Sequence, residues 1–390
     1  MIHRQPDIPH IVFLFSDTGG GHRSATEAII EAIDTYYPKM VTTDMVDIFR
    51  EYFPPPFHLA PEIYPPLSRL PSVWGLGYRV SDGRYRTQFL DQAFWPYIRR
   101  SIYRLIEENP CDLLVSVHPL INAPMLRGLR KFSCPYITVV TDMVTTHSAW
   151  YNVKADTIIV PTEIARQTAL NNAIQPDQVK VIGLPVAQRF CKTGGKKVEL
   201  KEALSWPTDR PAILLVGGGE GMGPLEEVAR SIHAAKLPAS LIIITGRNRK
   251  LKKTLESMQW NMPTYVYGFV HNMPEFMRAA DVIITKAGPG TISEAFIAEL
   301  PIILYSRLPG QEEGNVTYVV EKGAGVWAPH PEQVTATLKD WVYHPERMQK
   351  TAQISAQLAR PNAALDIATL LIDKVSTSQI ENNTPLSASK

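Results

Sequence analysis

Residues 16–27 read SDTGGGHRSATE and follow an apolar run, IVFLF, at 11–15. A glycine-rich turn after a strand usually holds phosphate on bare backbone N–H groups. An imidazole beside it suits different work, because histidine moves protons near neutral pH. Gly19, Gly20, Gly21 and His22 therefore admit two readings, an anion cradle or a proton acceptor on a loop that a ligand can approach closely. A second loop, GGGEGMGP at 217–224, follows the run AILLV and leads into a helical pattern from Leu225. In a third stretch, 285–319, Lys286 and the turn Gly288-Pro289-Gly290 precede a helix opening at Thr291, with Glu294 one turn in. A carboxylate suits a vicinal diol, where it accepts both hydroxyl hydrogens, better than it suits phosphate. Glu294 is equally what a plain helix start would carry, since an acid favours the positive end of the dipole. Gln311, Glu312 and Glu313 precede Gly314 and Asn315, and such amide and carboxylate side chains suit sugar hydroxyls.

Several chemistries fail on spacing. The dinucleotide fingerprint G-x-G-x-x-G breaks at Ser24 in the first loop and at Pro224 in the second. No Gly-Lys-Ser/Thr closes either loop as a Walker A motif requires. The cysteines, Cys111, Cys134 and Cys191, form no C-x-x-C, which argues against a zinc knuckle or a disulfide framework and fits a reducing cytosol.

These residues need a scaffold, and the pattern supplies one. Short apolar runs at 10–16, 40–46, 112–117, 135–141, 156–160 and 179–183, then 211–216, 240–245, 264–269, 281–285, 301–305 and 325–328, alternate with helical stretches such as 24–37 and 222–235. That alternation predicts parallel sheets covered by helices on both faces. The fold expected is α/β, two doubly wound Rossmann-like domains facing across a cleft. Residues 1–185 form the first domain, 186–210 a linker, 211–375 the second domain, and 376–390 a polar, disordered tail.

Basic and acidic residues number 40 and 38, a balance that excludes a chain seeking polyanions as a whole. No apolar run is long enough for a signal or a membrane span. One insertion, 53–104, breaks the alternation. Its part from 66 to 104 holds seven arginines against two acids, interleaved with Trp74, Tyr78, Tyr85, Phe89, Phe94, Trp95, Tyr97 and Tyr103. Such a segment is either a helical excursion with a solvated arginine face or a surface that rests on anionic lipid. Nucleic acid is the weakest reading, because no nucleic-acid motif accompanies the patch.

In order along nearly the whole chain, SDTGGGHRSATEAI, TDMVTTHSAW, GGGEGMGP, GFVHNMPEFM, KAGPGTISEA and GQEEGN resemble the inverting GT-B nucleotide-sugar glycosyltransferases. Within them the chain looks most like the monogalactosyldiacylglycerol synthases and their diacylglycerol glucosyltransferase relatives. The lipid II-forming N-acetylglucosaminyltransferase is a more distant cousin. The resemblance implies that Gly219, Glu220, Gly221, Met222, Gly290 and Thr291 lie beside a diphosphate. It puts Phe269 and Val270 at the uracil, Glu294 at the ribose hydroxyls, and Gln311 and Glu312 at the donor hexose. It implies transfer of a hexose, with galactose favoured, from UDP-galactose or UDP-glucose to the free hydroxyl of diacylglycerol. No cofactor or metal ion is expected. The chain lacks the cation-binding Asp-x-Asp, and helix dipoles and N–H groups would stabilise departing UDP.

Inverting transfer needs a base for the acceptor proton. The resemblance assigns that role to His22, with His118 and His147 as competitors and Asp142 as base or as partner to a histidine. At a helix start the dipole would lower the imidazole pKa and keep His22 neutral. The first loop, Gly19 to Gly21, would give the acceptor close access to backbone. The basic aromatic insertion would bring the enzyme to an anionic membrane surface, peripherally and on the cytoplasmic, inner face of the cell membrane. Other readings are a glucosyl donor, a transferase with another lipid or soluble acceptor, and a UDP-sugar binder or epimerase that frees sugar without lipid.

Overall fold

The computed structural model describes residues 8–18, 20–63, 70–132, 134–192, 194–219, 221 and 223–383. The chain divides into two units, Met1–Gln188 with Asn362–Lys390, and Arg189–Pro361. Each holds one six-stranded sheet in which every pairing is parallel.

The first sheet comprises β1 (His10–Phe15), β2 (Thr42–Asp47), β3 (Leu113–Ser116), β4 (Tyr136–Val139), β5 (Thr157–Val160) and β6 (Val179–Val181), in the order β2-β1-β3-β4-β5-β6. The second comprises β7 (Ala212–Val216), β8 (Ser240–Ile244), β9 (Thr264–Tyr267), β10 (Val282–Lys286), β11 (Ile302–Ser306) and β12 (Gly325–Trp327), in the order β12-β11-β10-β7-β8-β9. All twelve expected strands form. β1, β7 and β8 are buried at every residue, as a central parallel strand covered on both faces must be. Continuous apolar runs therefore serve where alternation would bury polar side chains against one covering layer. In each sheet the order reverses beside the first strand, between β1 and β3 and between β7 and β10. Ligands of open α/β sheets bind at such switch points, outside the carboxyl ends of the strands.

The domain ends differ from the sequence expectation. Residues 362–375, expected to close the second domain, belong to the first. The helix Ala363–Asn383 lays Ala364, Ile367, Ala368, Leu371, Ile372 and Val375 on Ile11, Phe13, Ala28 and Ile29, and the Tyr37 hydroxyl meets Thr369 Oγ1 at 2.7 Å. Helical spacing announces an apolar face without saying which sheet it covers. Burying each of the large aliphatic side chains contributes about 1.5–3 kcal/mol, so the first sheet gains a cover that its own half of the chain lacks. The helix also runs through 376–383, within the expected disordered tail, while 384–390 lie outside the described residues. The expected linker instead holds two short helices, Gln188–Lys192 and Lys197–Ala203. Lys197 and Lys201 both pair with Asp281, at 2.9 and 2.7 Å, which ties the second of these helices to the start of β10.

The insertion carries, after a short helical turn at Phe57–Leu59, the helices Pro71–Ser81 and Arg84–Glu108. Ile98, Ile102 and Leu105 anchor the second in the core of the first unit. Elsewhere large apolar groups stand in solvent, among them Leu76 at 65%, Tyr85 at 81% and Phe89 at 70% exposed. Residues 64–69, with Arg69, lie outside the described residues.

Candidate active site

At the first switch point, β1 runs through Ser16, Asp17 and Thr18 to Gly20, whose φ of 78° lies in the left-handed region that glycine alone adopts cheaply. The helix Gly21–Tyr36 then starts, with His22 as its second residue. Gly19 lies outside the described residues. β3, the neighbour of β1, ends by placing buried His118 against His22, with ring centroids 4.7 Å apart. The Trp150 ring lies 6.0 Å from His22, and Phe49 lies edge-on to His118 at 5.3 Å. Thr141, just past β4, meets His22 Nδ1 through Oγ1 at 3.0 Å. This half-buried, aromatic surrounding lowers the His22 pKa to about 4, with desolvation the chief cause and the Val117 carbonyl opposing it. The direction matches the sequence expectation, and burial is its chief cause. Neutral imidazole is therefore the resting form, and it can accept a proton.

The competitors are otherwise engaged. His118 Nδ1 accepts from Leu120 N–H at 3.3 Å, and Nε2 lies 3.4 Å from Thr18 Oγ1. His147 Nδ1 accepts from Ala149 N–H at 3.0 Å, and Nε2 sits 3.1 Å from Ser81 Oγ. Burial lowers both pKa values. Asp82 accepts from Ser148 N–H at 2.8 Å and from Gly83 N–H at 2.9 Å, so His147 belongs to a knot that fastens the insertion to the 145–150 loop. Buried Asp142 accepts from the Trp150 indole N–H at 2.7 Å and so holds the ring that flanks His22.

At the second switch point, β7 runs into Gly217, Gly218, Gly219 and Gly221; Glu220 and Met222 lie outside the described residues. Gly221 has φ 61°, and a Cβ there would stand 2.1 Å from the Thr245 carbonyl, so the loop packs backbone on backbone. Arg247 N–H donates to the Gly219 carbonyl at 2.8 Å, and its guanidinium covers half-exposed Phe269 at 4.7 Å. Val270 follows, half-buried. From β10 the chain turns through Ala287 and Gly288 into the helix Pro289–Ile297, with Gly290 and Thr291 in its first turn. Half-buried Glu294 has its pKa pushed up to about 7 by desolvation, against the pull of Arg189.

Gln311 and Glu312 precede the helix Glu313–Glu321. Glu312, expected at the hexose, is 3% exposed, and both its oxygens are committed. Oε1 lies 2.6 Å from Lys286 Nζ, and Oε2 accepts from Leu308 N–H at 2.7 Å. Gln311 is half-buried on the same turn. Sequence reasoning missed Lys286, Arg247 and Thr141 as site residues. Lys286 could have been found from its place at a strand end beside a switch point. Nothing local marks the other two. Among the described residues no three His, Cys, Asp or Glu side chains gather as a metal site would need.

Family models match on both sides of the unit boundary. The monogalactosyldiacylglycerol (MGDG) synthase model matches residues 22–186, and the glycosyltransferase family 28 C-terminal domain matches residues 212–368. The probable monogalactosyldiacylglycerol synthase, chloroplastic, of Nicotiana tabacum is 38% identical over 371 residues, covering 92% of this chain and 69% of the relative. The chain belongs to the monogalactosyldiacylglycerol synthase family. The Spinacia oleracea enzyme, also named as chloroplastic, is 37% identical over 377 residues, covering 93% of this chain and 72% of its own. Among solved structures, the MurG of Acinetobacter baumannii covers 94% of this chain and 99% of its own with a TM-score of 0.59; at 15% identity that likeness shows the GT-B fold. The family makes the chain a glycosyltransferase.

One expectation is overturned. The family relatives are named as chloroplastic, so placement on the inner face of a cell membrane does not stand. A surface suited to anionic lipid carries no record of which membrane supplies it. Among the described residues no helix is long and apolar enough to cross a membrane.

Proposed function

We propose that the chain transfers galactose from UDP-galactose to the free hydroxyl of diacylglycerol, with inversion, making monogalactosyldiacylglycerol. The observation that carries this reading is 38% identity to a probable synthase over 371 residues, 92% of this chain. His22 takes the acceptor hydroxyl proton, the freed oxygen pair attacks the anomeric carbon, and the bond to the UDP oxygen breaks with its electrons leaving on UDP. Thr141 orients the imidazole. The N–H groups around Gly219, Gly221, Gly290 and Thr291 take the diphosphate. Phe269 and Val270 border the uracil, Glu294 takes the ribose hydroxyls, and Gln311 faces the hexose. Incubation with labelled UDP-galactose or UDP-glucose and diacylglycerol vesicles, followed by lipid chromatography, tests the reading. Label in lipid from UDP-galactose supports it. Preference for UDP-glucose replaces the donor, and free sugar released without lipid would make the protein an epimerase-like enzyme.

The helices Pro71–Ser81 and Arg84–Glu108 are the membrane contact in this reading. Val73, Leu76, Val80, Tyr85 and Phe89 stand exposed beside exposed Arg79, Arg84 and Arg86, apolar groups for the headgroup layer and cations for lipid phosphate. Replacing Leu76, Tyr85 and Phe89 with serine abolishes flotation with anionic vesicles. Unchanged flotation would place the contact elsewhere.

A further inference from the structure

We propose that Lys286 is the cation that takes up the charge of the departing diphosphate, and that Glu312 is the positioning residue that holds it there. The proposal rests on the UDP-hexose transfer above and adds what neutralises the leaving group.

Lys286 ends β10 at the switch point with β7, where the turns at 217–221 and 287–290 begin. Its Cε lies 3.7 Å from the position a Cβ on Gly218 would take, and its Nζ lies 3.2 Å from the equivalent position on Gly288. The ammonium therefore sits between the two turns whose N–H groups are to hold phosphate. The lysine side chain is 24% exposed, whereas that of Glu312 is 4% exposed. The carboxylate is pinned at both ends, by Lys286 at 2.6 Å and by Leu308 N–H at 2.7 Å. An ammonium has three donors, and one spent on Glu312 leaves two for a ligand. Asn315 braces the same turn, its Nδ2 donating to the Ala287 carbonyl at 2.9 Å, while its buried Oδ1 has no hydrogen-bond partner.

The chemistry needs such a cation. When the bond from the anomeric carbon to the β-phosphate oxygen breaks, its electron pair stays on that oxygen. UDP leaves with one negative charge more than the phosphodiester it came from. The acceptor proton, released elsewhere to His22, does not offset this charge locally. A fixed cation aimed at developing charge lowers the barrier more than it tightens substrate binding.

The full-length protein and its Lys286→Met, Lys286→Arg and Glu312→Gln variants test the idea, with calorimetric titration by UDP and by UDP-galactose beside kcat. UDP carries the extra charge, so wild type holds UDP more tightly than UDP-galactose. Lys286→Met lowers kcat about 100-fold, the scale for losing one charge-stabilising donor, and weakens UDP more than UDP-galactose. Lys286→Arg, which also reports if the methionine variant fails to fold, keeps most of both. Glu312→Gln narrows the same affinity ratio, which a bracing role alone would leave unchanged. A Lys286→Met protein with wild-type kcat, or one weakened equally for both ligands, overturns the proposal. Wild type that binds no UDP overturns the transferase reading instead.

Discussion

The two glycine turns follow the same kind of strand and lead into the same kind of helix, yet they present opposite chemistry. The first surrounds its imidazole with rings, His22 lying near His118 and Trp150, with Thr141 on its Nδ1, while its charges Asp17 and Arg23 pair with one another. The second is cationic: Lys286 lies beside Gly218 and Gly288, and Arg247 flanks Gly219. Glycines explain neither character. What differs is the strand that topology brings beside the turn. His118 follows two residues past the end of β3 and Lys286 ends β10, each strand lying next to the first of its sheet. A glycine turn lets a ligand reach backbone; at the first turn the following helix carries the imidazole and the neighbouring strand packs His118 against it, while at the second the neighbouring strand itself supplies the cation.

The contrast breaks most severely at His22. His22→Ala removes the base, and a positioned base is worth about 10²–10⁴-fold in rate. We expect turnover to fall by about 1,000-fold while UDP affinity is unchanged, as radiolabel transfer and calorimetry would show. Near-normal turnover, or lost UDP binding, would mean the two turns do not divide the work this way.

The scaffold was legible in the sequence for a physical reason. Central parallel strands are buried on both faces, so AILLV and SLIII announce themselves without neighbours. The places of the glycine turns and of Glu294 in the fold were legible because they sit at fixed offsets from those strands. Thr141 and Arg247 were not, because each acts on a residue far away in sequence, 119 positions in the case of Thr141 and His22. Glu312 misled, since a carboxylate on a turn looks like a sugar ligand until its partner, 26 positions away, is seen. The helix Ala363–Asn383 misled in the same way, its apolar face covering a sheet from the other end of the chain.

The next largest effect separates the turns by pH. Burial raises the Glu294 pKa from 4.5 to about 7 and lowers that of His22 from 6.5 to about 4. In the proposed role Glu294 takes the ribose hydroxyls as a carboxylate, so kcat/KM for the donor should fall as pH drops through about 7. Glu294→Gln weakens the donor about 30-fold, within the range for hydrogen bonds to a charged group. It also removes that limb and leaves an acid limb near 4 from His22. Stability of the ligand-free protein runs the opposite way. The fold favours protonated Glu294, so stability declines as pH rises from about 4.5 to about 7, and Glu294→Gln abolishes that slope in thermal melts. A limb near 7 that persists in the variant would assign it to another group.

Thr141→Val tests the finer geometry of the first turn. It keeps the volume and removes the hydroxyl at His22 Nδ1, one hydrogen bond of about 1 kcal/mol, so kcat falls about 5-fold and UDP affinity stays fixed. An equal loss in donor binding would place Thr141 in structural support.

The smallest expected effect is none, and it concerns the second turn. Diphosphate leaving groups are commonly neutralised by divalent metal, held by carboxylates. Here the Glu312 carboxylate, beside the turn at Gly288, is turned onto Lys286 and a backbone N–H, so its negative charge positions a cation of the protein's own. A metal ion in that place would have to displace the ammonium from a 2.6 Å contact and meet its repulsion. Chelator should therefore leave kcat of the wild type within 2-fold across added magnesium. In Lys286→Met the same titration should show magnesium raising the residual rate, because Glu312 is then a carboxylate without its counter-ion beside the diphosphate. Loss of wild-type activity to chelator would mean that the second turn neutralises its leaving group with a bound ion, and the division between a base-bearing and a cation-bearing turn would give way to one between base and metal.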